Sequence, residues 1–416
     1  MAQYTIKQTK SLSPVTYDEI EASIIREDDE VYLVKQDEEG KIYKTLVEKD
    51  YKFYHLMTKD KLATQVSPVS ILIYVSSRCN LKCPVCFEDK DGIKEPSLQE
   101  IESLLNFRNK VITPMVVGRE PTYREDLFQI IRIANKKNRA WLSTNGIKLS
   151  DYEYVLKLKR NGLKRIFFSF NGFKDEIYQR LNGRPLLDLK LKALENIKKI
   201  GFETILSVTL ARRVNEDQIR KLCEFCLDNR SFISELRIRS ISPVGRHLEI
   251  EPYCMSELVD LVAGALRIDR EDILKEHLFW QELIKELKFI IPLHLQNYLH
   301  SRLCTFNFHI KKEKEIFSPG SKINLEKIKK SKFKKFWLVY YSIKIYSTRF
   351  IFEKFCLIFK LPIILKNKDS LNIALRCWPN LYNIDLEENK KCPSVYYKNG
   401  RLLPFCYYNI IEGWCP

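Results

Sequence analysis

Cys79, Cys83 and Cys86 carry the spacing C-x₃-C-x₂-C. A loop this short can wrap three thiolates around one iron–sulfur cube. No fourth cysteine is near, so one iron would keep an open position for a small molecule that chelates through an amine and a carboxylate. Zinc is the competing chemistry for clustered thiols. Its structural sites pair one C-x₂-C with another and close tetrahedrally. Cys223 and Cys226 form such a pair, but they fall within a helix-patterned stretch without a partner pair and read as buried structure. The histidines are scattered, with none at i, i+4, so no histidine metal site is expected.

Such a loop needs a rigid scaffold. An apolar, β-rich run over 71–76 precedes it. Helical spacing over 97–109, 126–137, 152–161, 186–200 and 216–228 alternates with strand-like runs at 111–117, 140–143, 164–170, 204–209 and 236–240. Six strands with helices between them predict a parallel sheet coiled by right-handed crossovers. Chemistry in such folds sits at the carboxyl ends of the strands. Those ends carry Gly118-Arg119-Glu120-Pro121-Thr122, Ser143-Thr144-Asn145-Gly146, Ser169-Phe170-Asn171-Gly172 and Arg239-Ser240, the last followed by Pro243-Val244-Gly245-Arg246. A glycine there permits close backbone approach, and Glu120 can accept a charge-assisted hydrogen bond from an ammonium.

The cysteine spacing after a first strand, followed in order by these motifs, resembles the radical S-adenosylmethionine (SAM) superfamily. The resemblance implies an α/β fold, a partial (β/α)₆ TIM-like barrel. It implies that Cys79, Cys83 and Cys86 hold a catalytic 4Fe–4S cluster whose open iron binds SAM. Phe87, Gly118, Arg119, Glu120, Pro121, Ser143, Asn145, Ser169, Asn171 and Arg239 become the cofactor-binding set. In the family, an electron from the cluster cleaves SAM to methionine and a 5′-deoxyadenosyl radical; a ferredoxin or flavodoxin is the implied donor. Two positions depart from the pattern. Arg119 replaces the second glycine of Gly-Gly-Glu-Pro, and Asn171 stands where the family often uses aspartate.

Both ends extend the resemblance. Asn380-Leu381-Tyr382-Asn383-Ile384-Asp385-Leu386-Glu387, Cys392 and the run from Asn399 to Asn409 look like the tail of one subgroup, the archaeal tetraether lipid synthases and related pterin methylases. That tail implies an auxiliary 4Fe–4S cluster on Cys377, Cys392 and Cys406, with Cys304 as fourth ligand and Cys356 and Cys415 competing for that place. At the amino end the subgroup often carries a zinc-ribbon-like unit. Here Ser13, Thr16, Gln36 and Glu39 stand at or near its ligand positions, and neutral Ser and Thr bind transition metals poorly. The domain should keep its hairpin, strands 31–34 and 42–46 joined by Asp37-Glu38-Glu39-Gly40, without metal. The expected units are a degenerate ribbon over 1–66, a radical SAM core over 67–250 and an α-rich, cysteine-bearing extension over 251–416. Helices are expected over 255–290 and loops over the last forty residues.

The charge balance is 70 Lys+Arg against 53 Asp+Glu, a net +17 that favours anionic partners. Residues 311–366 hold 15 Lys/Arg and 4 Glu, with ten aromatics between 333 and 359. This suits a membrane–water interface. Aromatics and lysines also suit nucleic acid, although nucleic acid is not the expected partner. No uninterrupted apolar stretch is long enough to span a bilayer, and the amino terminus MAQYTIKQTK is polar. A cytoplasmic chain, peripheral to a membrane at most, is expected, and its 12 cysteines then suggest metal before disulfide. The expected activity is radical modification of an unactivated carbon on a lipid, or another apolar substrate with an anionic head, as an oxidoreductase or transferase. A peptide maturase is the alternative enzyme, and a catalytically retired anion- or nucleic-acid-binding protein is the non-enzymatic one.

Overall fold

Strict alternation along the central strands builds two environments at once. In β5 (Ser70–Ser76), Ile71, Ile73 and Val75 join the main apolar core, while Leu72 and Tyr74 belong to a separate cluster on the other face. The same split recurs in β9 (Glu203–Leu210) and β10 (Ile233–Ser240). There Leu206, Val208, Leu236 and Ile238 enter the core, and Ser207, Thr209, Arg237 and Arg239 line a cavity. The computed structural model describes residues 3–59, 68–88, 93–106, 113–137, 139–246, 248–287, 303–314, 316–319, 324–341, 370–398 and 401–414.

Between these strands lie β6 (Thr113–Gly118), β7 (Trp141–Thr144) and β8 (Arg165–Ser169). The six pair in parallel in the order β10-β9-β8-β7-β6-β5, as the alternation predicts. The intervening helices are α2 (Leu98–Leu105), α3 (Leu127–Lys137), α4 (Tyr152–Arg160), α5 (Asp175–Asn182), α6 (Leu187–Ile200) and α7 (Ile219–Asp228). A Ser97/Glu100 capping box starts α2. The polar α5 was not anticipated. Cys223 and Cys226 are fully buried on α7, and burial pushes both thiols up, in keeping with a structural role.

The amino-terminal unit is larger than a hairpin. Four antiparallel strands, β1 (Gln3–Leu12), β2 (Glu19–Glu27), β3 (Glu30–Gln36) and β4 (Ile42–Glu48), form their own sheet, followed by α1 (Tyr51–Thr58). The first two strands are masked in the sequence by polar residues on an exposed face. Ser13 Oγ and Thr16 Oγ1 each donate to Glu38, at 3.1 Å. Glu38, rather than Gln36 or Glu39, is therefore the residue that meets the Ser13–Thr16 turn. Gln36 donates instead to the Gly40 carbonyl at 2.9 Å.

The extension differs most from its sequence reading. It begins with helices as expected, α8 (Met255–Leu266) and α9 (Arg270–Leu287). It then adds β11 (Thr305–Glu313), β12 (Ile316–Pro319), β13 (Leu371–Arg376), β14 (Ser394–Lys398) and β15 (Arg401–Pro404) to the central sheet, where only helices and loops were expected. β13 continues the parallel array beside β10, β11 returns antiparallel to it, and β14 runs parallel to β5 at the far side. The tail ends in a helix, Phe405–Trp414. β11 and β13 alternate, placing Phe306, Phe308 and Ile310 and Leu371, Ile373 and Leu375 in the core, whereas β12, β14 and β15 are only four or five residues long. They pair because the edges of an existing sheet offer them partners.

The two chain ends meet. Lys35 Nζ is buried and donates to Ser11 Oγ, the Leu12 carbonyl and the Leu381 carbonyl at 3.1, 2.7 and 2.6 Å. Burial pushes its pKa down to about 7. Thr9 Oγ1 donates to Asp385 at 2.6 Å, and Lys7 pairs with the same carboxylate at 2.5 Å.

Phe306 tests the added strands. It is fully buried in the main core, against Phe53 and Phe308. Phe306→Ala should cost about 3–5 kcal/mol, read as a lowered midpoint in chemical denaturation. A loop phenylalanine would cost far less.

Candidate active site

A cavity of about 1100 Å³ opens along the lumen face of the central sheet. Cys79, Cys83 and Cys86 all line it, from the loop that follows β5. That loop is fixed at both ends. The Arg119 and Glu120 amides donate to the Ser76 and Arg78 carbonyls, at 2.9 and 3.1 Å. Farther along, Cys86 exchanges two backbone hydrogen bonds with Arg246, at 2.9 and 3.1 Å. Glycine is required opposite each contact. A Cβ at Gly118 would stand 2.6 Å from the Ser76 carbonyl oxygen, and one at Gly245, where φ is +67°, would stand 2.3 Å from that of Cys86.

The thiols are surrounded by N–H donors. The Leu81 amide points at Cys79 Sγ at 3.4 Å, Asn145 Nδ2 at the same sulfur at 3.8 Å, and Asn182 Nδ2 at Cys83 Sγ at 3.3 Å. Burial, ahead of neighbouring negative groups, pushes the Cys79 thiol up to about 11. Donors directed at sulfur offset such a penalty and favour the thiolate that binds metal. Among the described residues, no three Cys, His, Asp or Glu side chains already stand as a metal-binding group. The shared loop, the shared cavity and the sulfur-directed donors nevertheless fit three cluster ligands.

The strand ends are tied together behind this loop. Glu120 is fully buried and accepts from the Thr122 amide, Thr122 Oγ1, Thr144 Oγ1 and the Asn145 amide, at 3.1, 2.6, 2.7 and 2.6 Å. With Pro121 it lies outside the cavity lining. The expected ammonium contact would therefore join a shell that already holds four donors. Gly118, Arg119, Ser143, Asn145, Ser169, Asn171, Phe87 and Arg239 do line the cavity. Asn171 accepts the Thr209 amide at 2.9 Å and donates to Asn182 at 3.2 Å, one step from Cys83. An amide fits there because it both donates and accepts, which a carboxylate cannot.

Lys190 and Asn182 were missed. Lys190 Nζ is fully buried and donates to the Asn145 and Ser169 carbonyls, both at 2.7 Å, joining the ends of β7 and β8. Burial pushes it down to about 8, against the opposing pull of Cys83 and Glu120. One signal was legible: Lys190 shares its helix stripe with Ala193, Leu194 and Ile197, where a lysine has no ordinary reason to stand. Asn182 closes α5, the helix the sequence did not reveal.

The tail thiols divide. Cys304, Cys392 and Cys406 line the same cavity as the first three cysteines, and the Cys406 thiol, already raised by burial, feels both Cys392 and Cys304. Cys377 does not line it. Its thiol is raised by burial and by Cys254, Glu48 and Cys304, and its amide donates to the Cys304 carbonyl at 3.2 Å. Cys356 and Cys415 lie outside the described residues.

Residues 73–226 match the family model of the radical SAM superfamily. The chain is 31% identical over 273 residues to 7,8-dihydro-6-hydroxymethylpterin dimethyltransferase of Methanocaldococcus jannaschii, across 58% of this chain and 54% of that one. It is 25% identical over 214 residues to GTP 3',8-cyclase of Clostridium perfringens, across 49% of this chain and 64% of that one. The chain thus spans about half to two thirds of the curated relatives it matches. Among solved structures, Streptococcus suis SuiB bound to precursor peptide SuiA aligns with a TM-score of 0.41 at 20% identity, over 47% of this chain and 44% of that one.

Lys190→Met would strand two buried carbonyls, at a cost of about 1–3 kcal/mol each. The pH dependence carries a signature. The folded pKa, about 8, lies below the ordinary lysine value of 10.5, so between them the unfolded chain holds the extra proton and stability rises with pH. The stability gap between wild type and Lys190→Met should widen across that window, as measured by denaturation at several pH values.

Proposed function

We propose that this chain, which carries a radical SAM superfamily domain over residues 73–226, cleaves SAM reductively and modifies an unactivated carbon of its substrate. The observation that carries the reading is that Cys79, Cys83 and Cys86 share one cavity with the ends of four neighbouring strands. When bound, a 4Fe–4S cluster and SAM would supply a 5′-deoxyadenosyl radical from an electron given by a donor such as a ferredoxin or flavodoxin. The chain's own part is positional. Cys79, Cys83 and Cys86 would hold the cluster, with Asn145 and Asn182 donating to sulfur. Arg119, Ser143, Ser169 and Asn171 offer polar groups along the cavity for SAM. The apolar residues of the opposite wall would keep water from the reacting carbon.

A second cluster is part of this reading. Cys304, Cys392 and Cys406 are its proposed ligands, and Cys377 is left out, because only the first three line the cavity. Alanine at Cys79, Cys83 and Cys86 together should abolish deoxyadenosine formation in folded protein. Anaerobically reconstituted wild type should carry roughly eight irons, about four per cluster. Alanine at Cys304, Cys392 and Cys406 should remove about half of that, while Cys377→Ala leaves it unchanged. Iron indifferent to the tail triple variant would end the second-cluster proposal.

The proposed substrate is a lipid or other apolar molecule with an anionic head. Support comes from an exposed patch on residues 332–341. Phe333, Phe336, Trp337 and Tyr340 are 71%, 63%, 38% and 44% exposed, beside the exposed Lys332 and Lys335. Leu338 and, in part, Tyr341 pack inward, and Lys334 is tied to Glu282 and Glu286. No helix among the described residues is long and apolar enough to cross a membrane. Lysines near an anionic surface contribute on the order of 1 kcal/mol each, and inserted rings add area-dependent burial. Co-sedimentation should favour anionic over zwitterionic vesicles, weaken with salt, and weaken further in Lys332→Glu/Lys335→Glu. Equal, negligible binding to both vesicles would leave a peptide substrate ahead.

A further inference from the structure

Register arranges the cavity walls in layers. Thr209, Arg239 and Arg376 stand side by side on β9, β10 and β13, and Ser207, Arg237 and Ala374 form the next layer. The facing strands β5, β6 and β8 present Leu72, Met115, Val117 and Phe167 to the same space. One wall is therefore polar and cationic, the other apolar.

Charge on the polar wall is unevenly answered. Arg237 pairs with Glu235 at 2.7 Å, and Arg376 donates to Asn307 Oδ1 at 3.0 Å. Among the described residues Arg239 contacts no carboxylate. Its Nε donates to Thr209 Oγ1 at 3.0 Å, and its guanidinium carbon lies 5.4 Å from the centre of the Trp378 ring. Glu88 and Cys86 act on it only from a distance, and burial pushes its pKa down. A half-buried guanidinium in a confined cavity is costly without an anion, and an aromatic face offsets only part of that cost. Arginine's planar fork matches a phosphate or carboxylate.

We propose that Arg239, with Thr209 and Arg376 in the same layer, holds the anionic group of the substrate, while an apolar body lies against Leu72, Met115 and Val117. The proposal rests on the radical SAM reading and deepens it by assigning the residues that hold the substrate's anionic head, a phosphate or carboxylate. Arg239 and Arg376 lie outside residues 73–226, the stretch that matches the family model.

Calorimetric titration of the full chain tests this with octyl phosphate, octanol, octylamine and inorganic phosphate. Wild-type protein should bind octyl phosphate at least tenfold more tightly than the other three. Arg239→Gln should weaken octyl phosphate by about tenfold to a hundredfold, the worth of a hydrogen bond to a charged group, without changing octanol. Octanol, octylamine or inorganic phosphate binding as tightly as octyl phosphate overturns the proposal on wild-type protein alone, whatever the fold of the variant. Undiminished binding by folded Arg239→Gln also overturns it. Octyl phosphate should still bind when SAM is saturating. Full competition by SAM, with Arg239→Gln weakening SAM by the same factor, would give Arg239 to the SAM carboxylate and end the proposal. Failure of the radical reading would show elsewhere, in deoxyadenosine formation that survives loss of Cys79, Cys83 and Cys86.

Discussion

The site depends on one residue, Asn145, whose backbone is held between two buried ions. Glu120 accepts the Asn145 N–H at 2.6 Å, and Lys190 donates to the Asn145 carbonyl at 2.7 Å. Each buried ion would cost several kcal/mol if left bare. Neither is: Glu120 has four donors and Lys190 two carbonyls. Because these partners come from the ends of β6, β7 and β8, satisfying the ions fixes the relative heights of three strands. The Asn145 side chain then reaches Asn80 at 2.8 Å and Cys79 at 3.8 Å. The cysteine loop inherits its position from that constraint.

Alternation explains how one sheet serves both stability and chemistry. Outward residues such as Ile73, Leu206, Leu236, Leu375 and Phe306 make a continuous core beneath the helices. Inward residues are free to be polar, and they are so mainly on β9, β10 and β13. The tail strands matter for this reason. They extend the sheet at both sides, and they carry Arg376, Cys304, Cys392 and Cys406 to the cavity. The amino-terminal sheet supports the tail through buried Lys35 and the Asp385 contacts. A hydrogen-bonded Glu38 joins its Ser13–Thr16 turn to the β3–β4 hairpin.

The positive charge is divided between two settings with different physics. Lys332 and Lys335 sit in water beside exposed rings, where salt screens them and where they act on surfaces. Arg239 and Arg237 sit in a confined cavity, where screening is weak and each charge requires a specific answer. The first setting suits reversible docking, and the second suits selection of one molecular group.

By itself the sequence determined the parallel strands, the cysteine loop and the turn motifs at their ends. These are local facts: period-two and period-3.6 patterns, and ligand spacing within a single loop, need no distant partner to be legible. Lys190 was visible only as an oddity on an apolar helix stripe, because its two carbonyl partners come from other strands. Tertiary structure alone decided that Cys304, Cys392 and Cys406 share a cavity while Cys377 does not. It alone decided that Glu38 meets Ser13 and Thr16, and that the segments at 305–313, 371–376, 394–398 and 401–404 join the central sheet. Such added strands take their stability from a neighbour's otherwise unpaired backbone groups, and that neighbour lies as much as hundreds of residues away, as Ser394 does from Ser70.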